Sequence, residues 1–481
     1  MNAVAPDPRR WKALILVCAA IFVVVLDIAI VNVALPSIGS DLHFAEKNLQ
    51  WVITAYALTY GGFLLLGGRA ADLLGRRLVF MGGLALFTVA SLICGFSGSE
   101  TMLIVARAVQ GLGAAIVTPS ALSIISTTFT EGSERNKALG AWGAVGGSGA
   151  AAGVLFGGIL TEYLGWEWIF WVNVPVGLLV LVLTPIYVRE SKREDVVHDY
   201  DPLGALTVTG GLVVLVYAIS EAPAEGWASF RTIGLLVFSA ALLLFFLWWE
   251  SREKAPLMPL GIFRIRLLSA ANFVALLQSG GMFGSFLLLT LYMQEVLHLS
   301  VLQTGVGFLA TAGTAVAFAA PAQMLATKVG VKPVMLTGLS LLLAGALWYT
   351  QISPHGSYFV DLMPGFFAVG IALPFTFIPL TIAALAGVGD DEAGLASGLF
   401  NTSQQVGGAI GTAVLSTIAF THSGTLLKQG TAPEEALTGG FKWGFWVCAG
   451  IWAGALLAAL IFIREREVAV PGAAELPPAQ S

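Results

Sequence analysis

Residues 13–35 read ALILVCAAIFVVVLDIAIVNVAL, an apolar run interrupted by one carboxylate, Asp27, and one amide, Asn32. A helix needs about 20 apolar residues to cross a hydrocarbon core of ~30 Å, so this run is long enough to span a bilayer. An ionised carboxylate inside such a span costs roughly 2.5–3.5 kcal/mol on insertion scales, and residues of this kind commonly face a polar cavity and carry function. Asp27 is therefore the first functional residue the sequence offers. The competing reading is a carboxylate paired for structure alone.

The rest of the chain repeats the pattern. Of 481 residues, 57% are hydrophobic and 11% charged, and mean hydropathy is +0.84. Soluble domains carry about 25% charged residues, so composition alone indicates a membrane protein. Fourteen apolar runs follow one another, at 13–35, 51–68, 78–97, 102–126, 138–160, 168–188, 203–220, 232–249, 267–293, 301–325, 333–351, 358–386, 393–420 and 441–463. Arg9, Arg10 and Lys12 ahead of the first run imitate a secretory leader. The apolar stretch continues past Asp27 for a full membrane thickness, however, which reads as a first span.

Basic residues orient these spans. With residues 1–12 in the cytoplasm, alternate loops place 19 Lys and Arg inside and only Lys47, Arg231, Lys428 and Lys442 outside, with Arg107 within a span. That asymmetry predicts both termini on the cytoplasmic side of the plasma membrane and also checks the span count, since a missed helix would scramble the signs downstream.

Several function classes drop out. A net charge of −5 gives no basic footprint for nucleic acid. Cys18, Cys94 and Cys448 are far apart and lie within apolar runs, so neither a disulfide framework nor a zinc site is implied. His43, His198, His298, His355 and His422 are scattered through loops without ligand spacing, and there is no GxxxxGK[ST] for ATP. With no catalytic cluster, no cofactor motif and no loop long enough for a soluble domain, an enzyme or a sensor built on this shell is the remote alternative.

The charged loops 189–201 and 251–266 flank spans 7 and 8, so residues 202–250 read as a two-helix hairpin inserted between bundles of six at 13–188 and 267–463, with a disordered tail over 464–481. The two groups of six echo each other. GRAADLLGRR (68–77) matches QMLATKVGVK after span 10, with Gly330 at the place of Gly75. Parallel six-helix repeats are one plan for secondary transporters, with the substrate site near the midplane between the halves. The repeat is degenerate in charge: Phe366 stands where Arg107 would be, and the second half has no acid at the depth of Asp27. Proton chemistry, if present, therefore belongs to the first half.

Depth can be read from helical rise. Asp27 is fifteen residues beyond Lys12 and Arg107 seven beyond Glu100, or ~22 Å and ~10 Å from opposite ends, which puts both at similar height in the outer half of the membrane. A neighbouring guanidinium lowers a carboxyl pKa and desolvation raises it, so movement between such environments would load and release a proton. A static ion pair is the alternative. Gln110 and Gly111 share the Arg107 face at i+3 and i+4; Gln110 is expected to hold the guanidinium or line a cavity, and Gly111 and Gly113 to serve close packing. Gly143, Gly146, Gly153, Gly157 and Gly158 give span 5 a smooth packing face. In-span Gln278, Asn401, Gln404 and Gln405 are cavity donors or interhelical bonds, and Trp51, Tyr56, Tyr60 and Trp142 either stack on a flat substrate or simply pack. Asn32 and Asn173 are further polar residues within spans, and Asn32 points away from the side of Asp27.

LDIAIVNVALP (Leu26–Pro36), GRAADLLGRR, RAVQGLGAA (Arg107–Ala115), the glycine-rich span 5, WIFWVNVPVG (Trp168–Gly177) and SGLFNTSQQVGGAIG (Ser397–Gly411) together resemble the major facilitator superfamily. Within it the resemblance is to the fourteen-span drug:proton antiporters of the EmrB/QacA type, over nearly the whole chain. The resemblance implies an all-α fold of two six-helix bundles plus two central helices. It also implies a monomer that exports hydrophobic small molecules in exchange for protons, with protons as the coupling ion and no cofactor. Asp27 would be the proton site and Arg107 its partner. Gly68, Asp72, Gly75, Arg76 and Arg77 would form a cytoplasmic latch that breaks when the protein opens inward, although topology alone also accounts for the arginines. Two positions depart from the family pattern: Val154 where a proline follows the span 5 glycine, and Glu167 where arginine is usual. The first weakens the inference of antiport and keeps a symporter or uniporter on the same fold as the alternative.

Overall fold

A computed structural model describes residues 8–44, 49, 51–129, 133–191, 201–253, 256–389 and 392–464. The expected tail beyond 464 and most of loop 189–201 lie outside them, as do the side chains of Asn32, Gly146 and Val154.

Every expected span is a helix: α1 Arg10–Asp41, α2 Trp51–Leu74, α3 Arg76–Gly95, α4 Glu100–Thr128, α5 Ser133–Tyr163, α6 in two pieces (Trp168–Trp171 and Asn173–Tyr187), α7 Pro202–Glu225, α8 Phe230–Glu250, α9 Arg266–Leu291, α10 Val301–Val329, α11 Val331–Tyr349, α12 Met363–Leu385, α13 Ala393–Lys428 and α14 Pro433–Phe462. Single turns with π-helical bonding extend α9 over Tyr292–Val296 and precede α12 over Tyr358–Leu362. In lipid every backbone polar group must be satisfied internally, which is why apolar runs of this length become helices. Among the described residues thirteen of these helices are long and apolar enough to cross a membrane; glycine-rich α5, 31 residues long, is the fourteenth.

Local chemistry sets the ends. The Ser99 and Ser229 hydroxyls accept from the N–H groups of Met102 and Thr232, and Ser300 and Gln303 close a reciprocal capping box on α10. Gly75 joins α2 to α3 at φ +112°, and Gly330 joins α10 to α11 at φ +99°. Side chains rarely adopt that conformation, so the repeat faintly legible in sequence reappears as matched glycine corners. One boundary differs from the sequence reading. Residues 69–74, expected as loop, continue α2 as helix, and only Gly75 interrupts it.

Helices α1–α6 pack as one bundle, through α1 on α5 and α6 and through α4 on α2 and α3. Helices α9–α14 form the other, centred on α9 against α13 and α14 and on α12 against α10 and α11. The bundles meet through α2 and α4 on α13, and through α5 on α10 and α12. The inserted pair α7 and α8 packs on itself, and α7 touches both α2 and α13. The Trp227 indole N–H donates to Thr417 Oγ1 at 2.8 Å, and the Tyr217 ring stacks 5.9 Å from Trp51. The hairpin is thereby fastened to each bundle.

The glycines of α5 serve two neighbours rather than one. Added Cβ atoms at Gly149, Gly153 and Gly157 would crowd α1, whereas Gly140 and Gly143 face Gln323, Phe377 and Ile378 of the second bundle. Gly158 is half-buried. A Cβ on Gly153 would come 2.7 Å from Leu26 O and 2.7 Å from Ala29 Cβ. Gly153→Val should therefore lower stability by about 1–3 kcal/mol, the usual cost of overpacking, read as a drop in melting temperature in detergent, with Gly450→Val, where an added Cβ meets nothing, nearly silent.

Candidate functional site

The sequence places Asp27 mid-helix between Leu26 and Ile28, so its partners must come from other helices. Three side chains supply them. Arg107 Nη1 on α4 donates to Asp27 Oδ2 at 2.6 Å, and Gln110 Nε2 to Oδ1 at 2.8 Å. Asn173 Nδ2, the first residue after the break in α6, donates to the same Oδ1 at 2.9 Å. Ser91 of α3 ties the donors together: its hydroxyl accepts from Gln110 Nε2 and Asn173 Nδ2, both at 3.1 Å, and donates to the Phe170 carbonyl at 2.9 Å. The guanidinium is itself held by the Val52 carbonyl at 3.0 Å and Gln110 Oε1 at 2.7 Å, over the Tyr56 ring at 4.3 Å.

Asp27, Ser91, Gln110 and Asn173 are 0% exposed and Arg107 is 1% exposed. The expectation that Asp27 faces a polar cavity is corrected here: the carboxylate is dry and fully donated to. A buried charge is tolerated only when paired and hydrogen-bonded, and this geometry meets both conditions. Loading a proton in place therefore requires the network to open. Removing a donor has a defined cost. Asn173→Leu should cost about 1–3 kcal/mol, the price of leaving a buried acceptor short of a partner, measured by thermal unfolding in detergent.

The other expected cavity residues are spread out. Tyr56 lies between Arg107 and Tyr60, with its ring 5.7 Å from the Tyr60 ring. The Tyr60 hydroxyl donates to Thr118 Oγ1 at 3.3 Å and is within reach of Gln405 from the second bundle. This path runs from the ion pair to the bundle interface. Trp142 is buried and stacks 5.4 Å from Phe377 across the same interface. Asn401 instead bonds back to Ser397 O of its own helix, Gln404 is half-buried, and Gln278 is enclosed in the second bundle beside Met282 and Ser279. None of those three joins the Asp27 network.

The GRAADLLGRR segment makes a contact that its local spacing could not reveal. Gly68 and Gly394 lie backbone to backbone with no room for a Cβ on either, and a Cβ on Gly398 would sit 2.9 Å from Leu64 O. That approach brings the Asp72 carboxylate to the start of α13. It accepts from the Gly394 and Leu395 N–H groups at 3.1 and 3.0 Å, donors that a helix N-terminus leaves unpaired. Arg76 binds the same carboxylate at 2.9 Å, Ser123 Oγ at 2.7 Å and Ser191 Oγ at 3.3 Å. Arg77 turns the other way, toward Val188 O and Glu190. Arg69 reaches the Pro256 carbonyl at 3.1 Å. One carboxylate of the first bundle thus caps a helix of the second.

The profile of the Major Facilitator Superfamily matches residues 17–412 and again 272–480. The chain belongs to that superfamily. As a major facilitator protein it is 40% identical to the puromycin resistance protein pur8 of Streptomyces alboniger, over 99% of this chain and 96% of that one. It is 38% identical to the cephamycin export protein CmcT of Amycolatopsis lactamdurans, over 86% and 85% of the two chains. The crystal structure of the human organic anion transporter MFSD10 (TETRAN) superposes with a TM-score of 0.69 at 16% identity, covering 94% of this chain and 100% of that one. That likeness is one of fold. This major facilitator protein is a multi-pass membrane protein, and the sealed Asp27 network sits within its first bundle.

Proposed function

We propose that the protein exports hydrophobic small molecules across the plasma membrane in exchange for protons, with both termini and the Asp72 latch on the cytoplasmic side. The observation that carries this reading is the burial of Asp27 against Arg107 inside an apolar bundle. It is supported by relatives named for antibiotic resistance and export at 40% and 38% identity. Protonation of Asp27 removes the charge that holds Arg107, Gln110 and Asn173 in place, so the protonated and ionised forms favour different packings of α1, α3, α4 and α6. Substrate and proton then compete by favouring opposite states, and a ligand shifts such an equilibrium only by its differential affinity for them. The latch supplies the bistable contact: α2 and α13 are joined while Asp72 caps α13, and separate when it does not. Both bundles and the latch lie on one chain, so a monomer suffices, and protons serve as coupling ion without a cofactor.

Everted vesicles test the direction of transport. With an acid interior they should accumulate a lipophilic cationic dye, and adding the dye should discharge the pH gradient. Uptake of proton and solute in the same direction would mean symport and overturn the reading.

A further inference from the structure

The inserted hairpin carries an acid pair that the Asp27 network does not use. Asp201 precedes α7 and Glu250 ends α8, so the two carboxyls meet at the root of the hairpin. Both are more than nine-tenths buried, at 8% and 3% exposure. Each has one oxygen with a conventional donor. Asp201 Oδ1 accepts from Gly204 N–H at 2.8 Å and from the Trp249 indole N–H at 3.0 Å, while Glu250 Oε2 accepts from Met258 N–H at 3.1 Å. The remaining oxygens, Asp201 Oδ2 and Glu250 Oε1, have no donor among the described residues. They converge on the bare Cα of Gly204, where a Cβ would overlap both, and the carboxyls lie within hydrogen-bonding reach of each other.

Two buried acceptor oxygens facing each other are untenable as a pair of anions, because like charges at contact distance cannot both stay ionised in a poorly solvated site. A single proton between them turns the repulsion into a strong hydrogen bond. Among the described residues, the donors that face the pair from the packed elements are the Gly204 N–H, the Trp249 indole and the Leu257 and Met258 N–H groups, all neutral. Arg69 engages the same loop through the Pro256 carbonyl.

We infer that Asp201 and Glu250 share one proton, forming a second proton-binding site separate from Asp27. This proton clasps the two ends of the hairpin to each other and to the loop that leads into the second bundle. Because Arg69 of α2 grips that loop, the clasp joins the hairpin to the latch region. A rise in pH that removes the proton leaves two facing carboxylates and loosens the joint.

Infrared difference spectra of the full chain in nanodiscs at neutral pH test this directly. A protonated-carboxyl stretch should be present in the unsubstituted protein and in Asp27→Asn, and should be lost in both Glu250→Gln and Asp201→Asn. The Asp201→Asn amide can still donate to Glu250, so that variant should fold even if Glu250→Gln does not. Thermal unfolding gives a second readout. A proton held only in the folded state makes stability fall as pH rises. The pH slope of the unsubstituted protein should therefore exceed that of Asp201→Asn by about one proton. A carboxyl stretch unchanged in Glu250→Gln and Asp201→Asn, or equal pH slopes, would overturn the proposal and point to a pair neutralised by a cation, with Lys254 or a divalent ion as the source. Since neither measurement uses transport, the outcome is independent of the export reading.

Discussion

Asp27→Asn should abolish substrate-driven proton movement in proteoliposomes while exchange of labelled for unlabelled substrate continues. The amide carries no charge to trade, and its nitrogen would present a donor where Arg107, Gln110 and Asn173 already donate. Gln110 can turn its amide over only by taking its Oε1 away from Arg107, which then keeps Val52 O but is left without its counter-ion. Removing one partner of a buried pair costs about 3–5 kcal/mol, so a melting curve must accompany the transport assay. The size of the effect follows from the driving force. One charge moved through 100 mV supplies ~2.3 kcal/mol, and with 1.4 kcal/mol per tenfold this sustains roughly a fiftyfold gradient of a neutral substrate. The variant should sustain none. Unchanged proton movement would show that Asp27 is a structural ion pair and that the coupling site is elsewhere.

Asp72→Asn should open the latch. The substitution removes the anion at the start of α13 and takes from Arg76, 4% exposed, the carboxylate it binds beside the Ser123 and Ser191 hydroxyls. Loss of an N-terminal cap and of a charge at the helix dipole costs about 1–2 kcal/mol together. Breaking the buried pair adds about 3–5 kcal/mol, so the closed state should lose at least about 4 kcal/mol and the ratio of open to closed should rise about a thousandfold. Ser397 is fully enclosed at this contact. In a background without Cys18, Cys94 and Cys448, a Ser397→Cys reporter should react with a small maleimide slowly when Asp72 is present and at least tenfold faster with Asn. Equal rates would mean that the Gly68–Gly394 backbone contact alone holds the bundles together.

The fold was readable because each span is long, apolar and bounded by charges, and the lipid leaves such runs one solution. The loop reading of residues 69–74 failed since polar composition marks the end of the membrane, whereas a helix ends only where its backbone is broken, here at Gly75. The Asp27–Arg107 encounter could be anticipated from helical rise, which measures depth independently of tertiary structure. Rotation about the helix axis is not measured that way, so nothing pointed to Ser91, whose hydroxyl looks like that of any packing serine. Asn173 stood out only as a polar residue in a span; which side of α6 meets Asp27 is set by how the helices pack, not by the local pattern. Asp72 meeting α13, 322 residues away, depends on the docking of two bundles, which no local pattern encodes. The Asp201–Glu250 pair had the same disguise, as both residues look like solvated ends of charged loops.

The dryness of Asp27 while the latch is shut also bears on a membrane crowded with idle copies. A carboxylate open to water on either side would pass protons down their gradient with every fluctuation, and a cell expressing it would bleed its own energy supply. Closed in by Ser91, Gln110, Asn173 and Arg107, the resting protein is expected on the export reading to act as an insulator. Overexpression should leave the pH gradient of vesicles intact until substrate is added.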